Sequence, residues 1–218
     1  MDDSLHASTQ GSTVEEWTQA LAESTGAPGG GAGTGVMLAV AASLTSMVAG
    51  YTDAEDGRDE VEAIRARAQA LRREALALAD DDAAASQAFG AAFRLDPGPE
   101  RDRAVHAASL DAAASSAVLG ERAAGSIDDL AWLAAHGNPA LVADVVVAFG
   151  ALRAAIAGAR ANVSFDLGSL RSAGSTLEEI REEHPDLWST VTTLDDALAR
   201  IDALAAEIDH RAAPTDAV

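Results

Sequence analysis

The stretch VEAIRARAQALRREALALADDD, residues 61–82, decides the fold class. Its apolar positions Val61, Ile64, Ala68, Leu71, Ala75 and Leu78 recur at alternating steps of three and four, which places them on one face of a helix of 3.6 residues per turn. Arg and Glu fill the opposite face. The pattern predicts one long helix continuing through Asp80, Asp81 and Asp82 to Phe93. Asp96-Pro97-Gly98-Pro99 should end it, because Pro97 disfavours helix at Asp96 and Gly98 permits a tight turn.

Working outward, the same signals recur. Upstream, Thr13 with Glu16 three residues later forms a capping-box pattern opening a helix that carries Trp17 and Leu21. Pro28-Gly29-Gly30-Gly31-Ala32-Gly33 reads as a non-helical connector, and a helix is expected from about Thr34 to Tyr51. Downstream, helical spacing runs from near Glu100 towards His136, with Ile127, Leu130 and Trp132 resuming after Gly125. His136-Gly137-Asn138-Pro139 ends that segment. From Ala140 to about Phe165 the residues are apolar or small on nearly every side, so this helix should be surrounded by protein. A charged amphipathic helix follows from about Ser175 to His210, kinked or split at Pro185. Alanine is abundant and β-branched or aromatic runs are scarce, so the fold is read as all-α: an elongated bundle of long Ala-rich helices. With no linker and no fixed repeat, one helical domain is expected over residues 13–212, between flexible tails at 1–12 and 213–218. The surplus of apolar face points to a homodimer.

Composition removes several functions. The 218 residues carry 15 basic and 35 acidic side chains, a formal net charge of −20, which disfavours nucleic acid and anionic membrane surfaces as partners. All the basic residues are Arg, so Schiff-base chemistry and a P-loop lysine are absent, and without Cys there is no disulfide, thiolate nucleophile or Cys-based metal site. His6, His106, His136, His184 and His210 lack metal-ligand spacing, so no metal is expected. The acidic start, without an apolar core after it, is not a signal peptide, and the protein is read as cytoplasmic. The most apolar stretch, Val36 to Gly50, falls short of the roughly 20 residues that span a bilayer.

Three features can carry chemistry. The glycine-rich turn ahead of a helix offers main-chain donors and a positive dipole end to a carboxylate or polar heterocycle, although a plain connector explains it as well. Asp80, Asp81 and Asp82 point about 100° apart on a helix, so one or two at most face inward. An inward carboxyl in a partly desolvated cleft has a raised pKa and can move a proton near neutral pH; a solvated acidic face is the competing reading. Asn138, Asp144 and Asn162 flank the most apolar helix, where an Asn amide can hold a heterocycle edge or simply cap a helix.

In order, Pro28-Gly29-Gly30-Gly31, Met47-Val48-Ala49-Gly50-Tyr51-Thr52, Asp82-Ala83 with Ala91-Ala92-Phe93-Arg94-Leu95, Gly137-Asn138 with Asp144, and Asn162-Val163 resemble the cyclodeaminase/cyclohydrolase family of folate enzymes. That family includes the C-terminal domain of formiminotransferase-cyclodeaminase and methenyltetrahydrofolate cyclohydrolases, and the resemblance spans roughly residues 14 to 210. It implies an all-helical homodimer, Asp82 as the acid/base, and Gly29, Gly30, Gly31, Asn138, Asp144 and Asn162 near the ligand. A tetrahydrofolate derivative would be the substrate, with no metal and no further cofactor. Ala32, Ser86, Ala143 and Asp166 stand where the family pattern has Ser, Phe, Ser and Asn, and Ala117 replaces a proline. The alternative is a non-catalytic folate- or small-ligand-binding dimer of the same fold. Arg94, Arg153 and Arg160 are candidates for a glutamate tail.

Overall fold

The computed structural model describes residues 8–53, 57–172 and 175–209. His6, His210 and the chain ends fall outside these. Among the described residues the chain forms eight α-helices, one short 3-10 turn and no strand, so the all-α expectation holds. The α-helices are α1 (Val14–Ala22), α2 (Gly30–Gly50), α3 (Arg58–Phe93), α4 (Pro99–Ala124), α5 (Ile127–His136), α6 (Val142–Ser172), α7 (Leu177–Glu183) and α8 (Pro185–Asp209).

Helix α3 runs 36 residues without interruption; of the six positions the periodicity picks out, Val61, Ile64, Ala68 and Ala75 are buried, and Leu71 and Leu78 are half-buried against the same core. Thr13 and Glu16 close the capping box of α1. A second box, Thr176 with Glu179, opens α7, and Pro185 separates α7 from α8 because it has no amide hydrogen to continue the ladder. Two expected element boundaries change. The helix read as continuous to His136 breaks at Gly125-Ser126, giving α4 and α5. The glycine run is the first turn of α2 rather than a connector before it. Each glycine costs a helix roughly 1 kcal/mol relative to Ala. At Gly35, one turn into α2, that cost is offset by an approach that a Cβ would block: it would lie 2.7 Å from the Ala79 Cβ and 2.9 Å from the Ala75 carbonyl.

Helix α6 is the axis of the bundle, packed against α2, α4 and α8, while α3 lies across α2 and α4. The main core gathers Leu38, Val48, Ile64, Leu119, Phe149, Leu152, Ile156 and Leu194, all at most 2% exposed. Burying each such side chain is worth about 1.5–3 kcal/mol. A smaller cluster of Val163, Leu167, Leu170 and Ile180 seats α7. Arg67 with Asp129, Arg122 with Glu74, Arg153 with Asp202 and Arg160 with Asp195 tie neighbouring helices at the surface. Such exposed pairs contribute only about 0–1 kcal/mol each.

Because α2 starts at Gly30, it is 21 residues long, and it and the segment Pro139–Arg171 have the length and composition to cross a bilayer. Most of α2 is buried by neighbouring helices, as in a core helix of a bundle. The expectation that α6 is covered on every side is not met within one chain. Val147 is 59% and Phe165 79% exposed, and Met37 and Val40 on the adjoining α2 are also exposed.

Candidate functional site

Of the three consecutive aspartates, one turns inward. Asp82 is 6% exposed, while Asp81 faces solvent. Asp80 is occupied by the segment before α1, accepting hydrogen bonds from the Thr9 main-chain N–H, Ser8 Oγ and Gln10 Nε2. Trp17 braces the same corner, packing on Ala32 and Ala79 and donating its indole N–H to Thr9 Oγ1 at 3.1 Å. Nothing in the spacing of the sequence forecasts this strap.

The Asp82 carboxylate meets the start of α2. It accepts the Ala32 N–H, and the Ser86 hydroxyl stands 3.5 Å from its Oδ2. Gly29, the residue before α2, has no side chain to cap the helix, so Asp82 of α3 satisfies one of its free donors across the helix interface. The absence of a side chain at Gly31 makes this contact possible. A Cβ there would lie 2.1 Å from Asp82 Oδ1 and 2.3 Å from its Cγ. The anion for which the glycine turn offers donors is therefore an internal one. Burial pushes the Asp82 carboxyl above the ordinary aspartate value, and the Ala32 N–H and Ser86 hydroxyl partly counteract it.

Around this carboxyl lies an open cleft of about 420 Å³, walled by Gly26 and Gly29–Gly31, by Asp82, Ser86, Phe89 and Gly90 of α3, by Ala112 and Ser116 of α4, and by Asn162 and Asp166 of α6. Four helices thus converge on one concave surface with polar groups on most sides, as ligand sites do. Asp166 is the residue whose part the sequence reading missed. Its carboxyl is pushed up to about 6, first by burial and then by the negative charge of Asp82. The raised signal was present only as an unexplained acid where a neutral amide was expected. Ser86 lines the cleft one turn after Asp82 and reaches its carboxylate.

The remaining predicted residues are not gathered here. Asn138 holds the turn between α5 and α6: its Oδ1 accepts from the Ala140 N–H at 3.0 Å, and its Nδ2 donates to the Tyr51 carbonyl at 3.1 Å. That is its capping reading, with the added task of tying down the end of α2. Asp144 lies in the first turn of α6. Eighteen residues of helix separate it from Asn162, about 27 Å at 1.5 Å per residue. Among the arginines, Arg153 and Arg160 are committed to Asp202 and Asp195. Arg94, one turn beyond Gly90 at the end of α3, has no ion pair among the described residues. Nor do three His, Asp or Glu side chains gather into a metal-binding group among these residues. His136 stacks on Trp132, and His106 faces His184 at 6.4 Å.

Comparison with known proteins follows the same lines. No curated protein matches the chain. Among solved structures, the formiminotetrahydrofolate cyclodeaminase of Thermotoga maritima superimposes with a TM-score of 0.77 at 21% identity, over 91% of this chain and 96% of that one. At that identity the likeness is one of fold. The family model described as formiminotransferase-cyclodeaminase matches residues 13–184, which include α1 through α7 and every wall of the cleft. The chain belongs to the formiminotransferase-cyclodeaminase family.

Proposed function

We propose that this protein is a folate-dependent one-carbon enzyme that acts at the carbon carried between N5 and N10 of tetrahydrofolate, with Asp82 as its proton shuttle. The observation that carries the reading is the inward Asp82 carboxyl, poised by burial and fixed to the α2 N-terminus at the floor of a glycine-walled cleft. A group so placed can accept and return a proton without leaving its position.

In the cyclodeaminase reaction, N10 attacks the protonated formimidoyl carbon on N5. A C–N10 bond forms and N10 gives up its proton. Asp82 takes that proton and delivers it to the exocyclic nitrogen. The C–N bond to that nitrogen then breaks, leaving ammonia and the cationic methenyl bridge. In the cyclohydrolase reaction, water adds to the methenyl carbon, Asp82 takes one of its protons and returns it to the ring nitrogen whose bond to that carbon breaks, and the remaining hydroxyl proton leaves to solvent as the formyl C=O forms. Cyclodeamination is favoured over hydrolysis by the description of the matching family and by the solved structure that shares this fold. Gly29, Gly30, Gly31 and Asn162 would line the bound pterin, and Arg94 the anionic tail. Asn138 and Asp144 would enter a site only through a second subunit.

We further propose a homodimer formed through the exposed apolar face of α6 and α2, with Val147, Met37 and Val40 at its centre. The experiment for the activity is turnover of both folates by wild-type protein and by Asp82→Asn. Loss of turnover with unchanged helicity is expected, and full activity in the variant would remove the role. For the tail, Arg94→Ala should raise KM severalfold with kcat unchanged, the mark of lost uniform binding; an unchanged KM would contradict it.

A further inference from the structure

The proton-shuttle role of Asp82 leaves a second carboxyl in the cleft unused. Asp166 stands one helical turn after Asn162 on α6, and both line the cleft. Among the described residues its carboxyl has no hydrogen bond or ion pair. The walls from the α2 start, α3 and α4 present glycines, Ser86, Phe89, Ala112 and Ser116, all uncharged. Asp82 and Asp166 are therefore the two titratable groups facing this space among the described residues, and no cation lines it.

Two carboxylates in a partly desolvated cleft repel each other, and either a proton or a bound cation relieves the repulsion. The proton has an assigned place. The ionised form of Asp82 is favoured by the Ala32 N–H, the Ser86 hydroxyl and the α2 N-terminus. Asp166 has none of these and its carboxyl rises to about 6, so near neutrality it carries the proton more readily than Asp82. A cationic ligand would displace that proton.

We infer that Asp166 is a specificity residue: with Asp82 in the same cleft, its carboxylate selects a delocalised cation of the amidinium class over a neutral carbonyl compound of similar shape. The inference rests on the folate reading above, in which the protonated formimidoyl and the methenyl carbon are both of this class and the formyl group is not. Its sign follows from the titration. Asp166 is neutral well below pH 6 and gives little preference there, whereas above pH 6 it is ionised and gives the full preference.

The test uses the full chain, with 5,10-methenyltetrahydrofolate as the cationic probe and 5-formyltetrahydrofolate as the neutral one. Affinities are read by rapid-mixing fluorescence before turnover, between pH 5 and 7.5. In wild-type protein the preference for the cation should rise about fivefold across this range, most of the tenfold limit that accompanies a fall of about one pKa unit on binding. Asp166→Asn should remove that rise and leave the affinity for the formyl compound and the helicity unchanged. Asp166→Glu, which keeps the charge, should retain part of the rise. A flat wild-type preference, or a rise that persists in Asp166→Asn, overturns the inference while leaving the folate reading in place. Failure of both folates to bind overturns the folate reading and this inference with it.

Discussion

At the scale of single residues, the site turns on a carboxylate and a missing methyl group. Asp82 approaches the α2 start so closely that Gly31 has no room for a Cβ. Gly31→Ala should therefore displace the carboxylate, costing about 1–3 kcal/mol as overpacking does, and should lower turnover as Asp82→Asn does. Asp82→Asn itself should lower kcat by about 10²–10⁴-fold, the range for losing a general acid–base, with the circular dichroism spectrum unchanged. Asp166 makes a separate prediction for stability. Its folded pKa of about 6 lies above the usual aspartate value of about 3.9. Its contribution is thus fully present below the lower value and is lost as pH rises to about 6. Asp166→Asn should be more stable than wild type above pH 6, by up to about 2 kcal/mol after allowing for partial exposure, and the gain should vanish near pH 4. Denaturant titrations at the two pH values check this, and an equal gain at both would contradict it. The sequence showed three adjacent aspartates and required that at most two face inward. It did not show which, because the choice lies in their surroundings: Ser8, Thr9 and Gln10 bond Asp80, Asp81 is exposed, and the α2 start meets Asp82. Asn138 was equally legible as a cap or a ligand contact, and its bonds to Ala140 and Tyr51 make it a cap.

At the scale of elements, periodicity carried most of the information. The apolar spacing of residues 61–78 marks the buried face of α3, and Pro185 marks the break between α7 and α8, because both signals are local. The start of α2 was misread for the opposite reason. Four glycines between residues 29 and 33 argue against helix locally, yet α2 begins at Gly30; of the four, Gly31 is the one pressed against a neighbouring helix, at Asp82, while Gly30 and Gly33 meet nothing within 4 Å. This separates two substitutions of the same kind. Gly35→Ala places a methyl against Ala79 and the Ala75 carbonyl, and should destabilise the protein by about 1–2 kcal/mol despite its better helix propensity. Gly33→Ala meets nothing within 4 Å and should stabilise by about 0.5–1 kcal/mol. Melting temperatures that shift in opposite directions would support this account of the α2–α3 crossing, and a shared direction would contradict it.

At the scale of the whole molecule, two long apolar helices lie side by side, and a single chain covers the inner face of α6 but leaves Val147 and Phe165 exposed. If that surface is a dimer face, Val147→Arg should move the sedimentation coefficient from dimer to monomer while leaving the helical spectrum intact. A wild-type monomer would exclude the dimer. The net charge of −20 disfavours polyanions on electrostatic grounds and does not identify a ligand; the proposed one is assigned to the cleft shared by α2, α3, α4 and α6. The ordered motifs carried the family and the all-α fold from sequence alone. They did not carry the distance between Asp144 and Asn162, because a motif order says nothing of how far apart a long straight helix holds its two ends. The most direct measurement is the absorbance of the methenyl-folate band when purified protein meets 5-formiminotetrahydrofolate and, separately, 5,10-methenyltetrahydrofolate. The account predicts that the band appears from the first or disappears from the second faster than in buffer, and that Asp82→Asn abolishes the difference. Spontaneous rates in both, from folded protein, would contradict it.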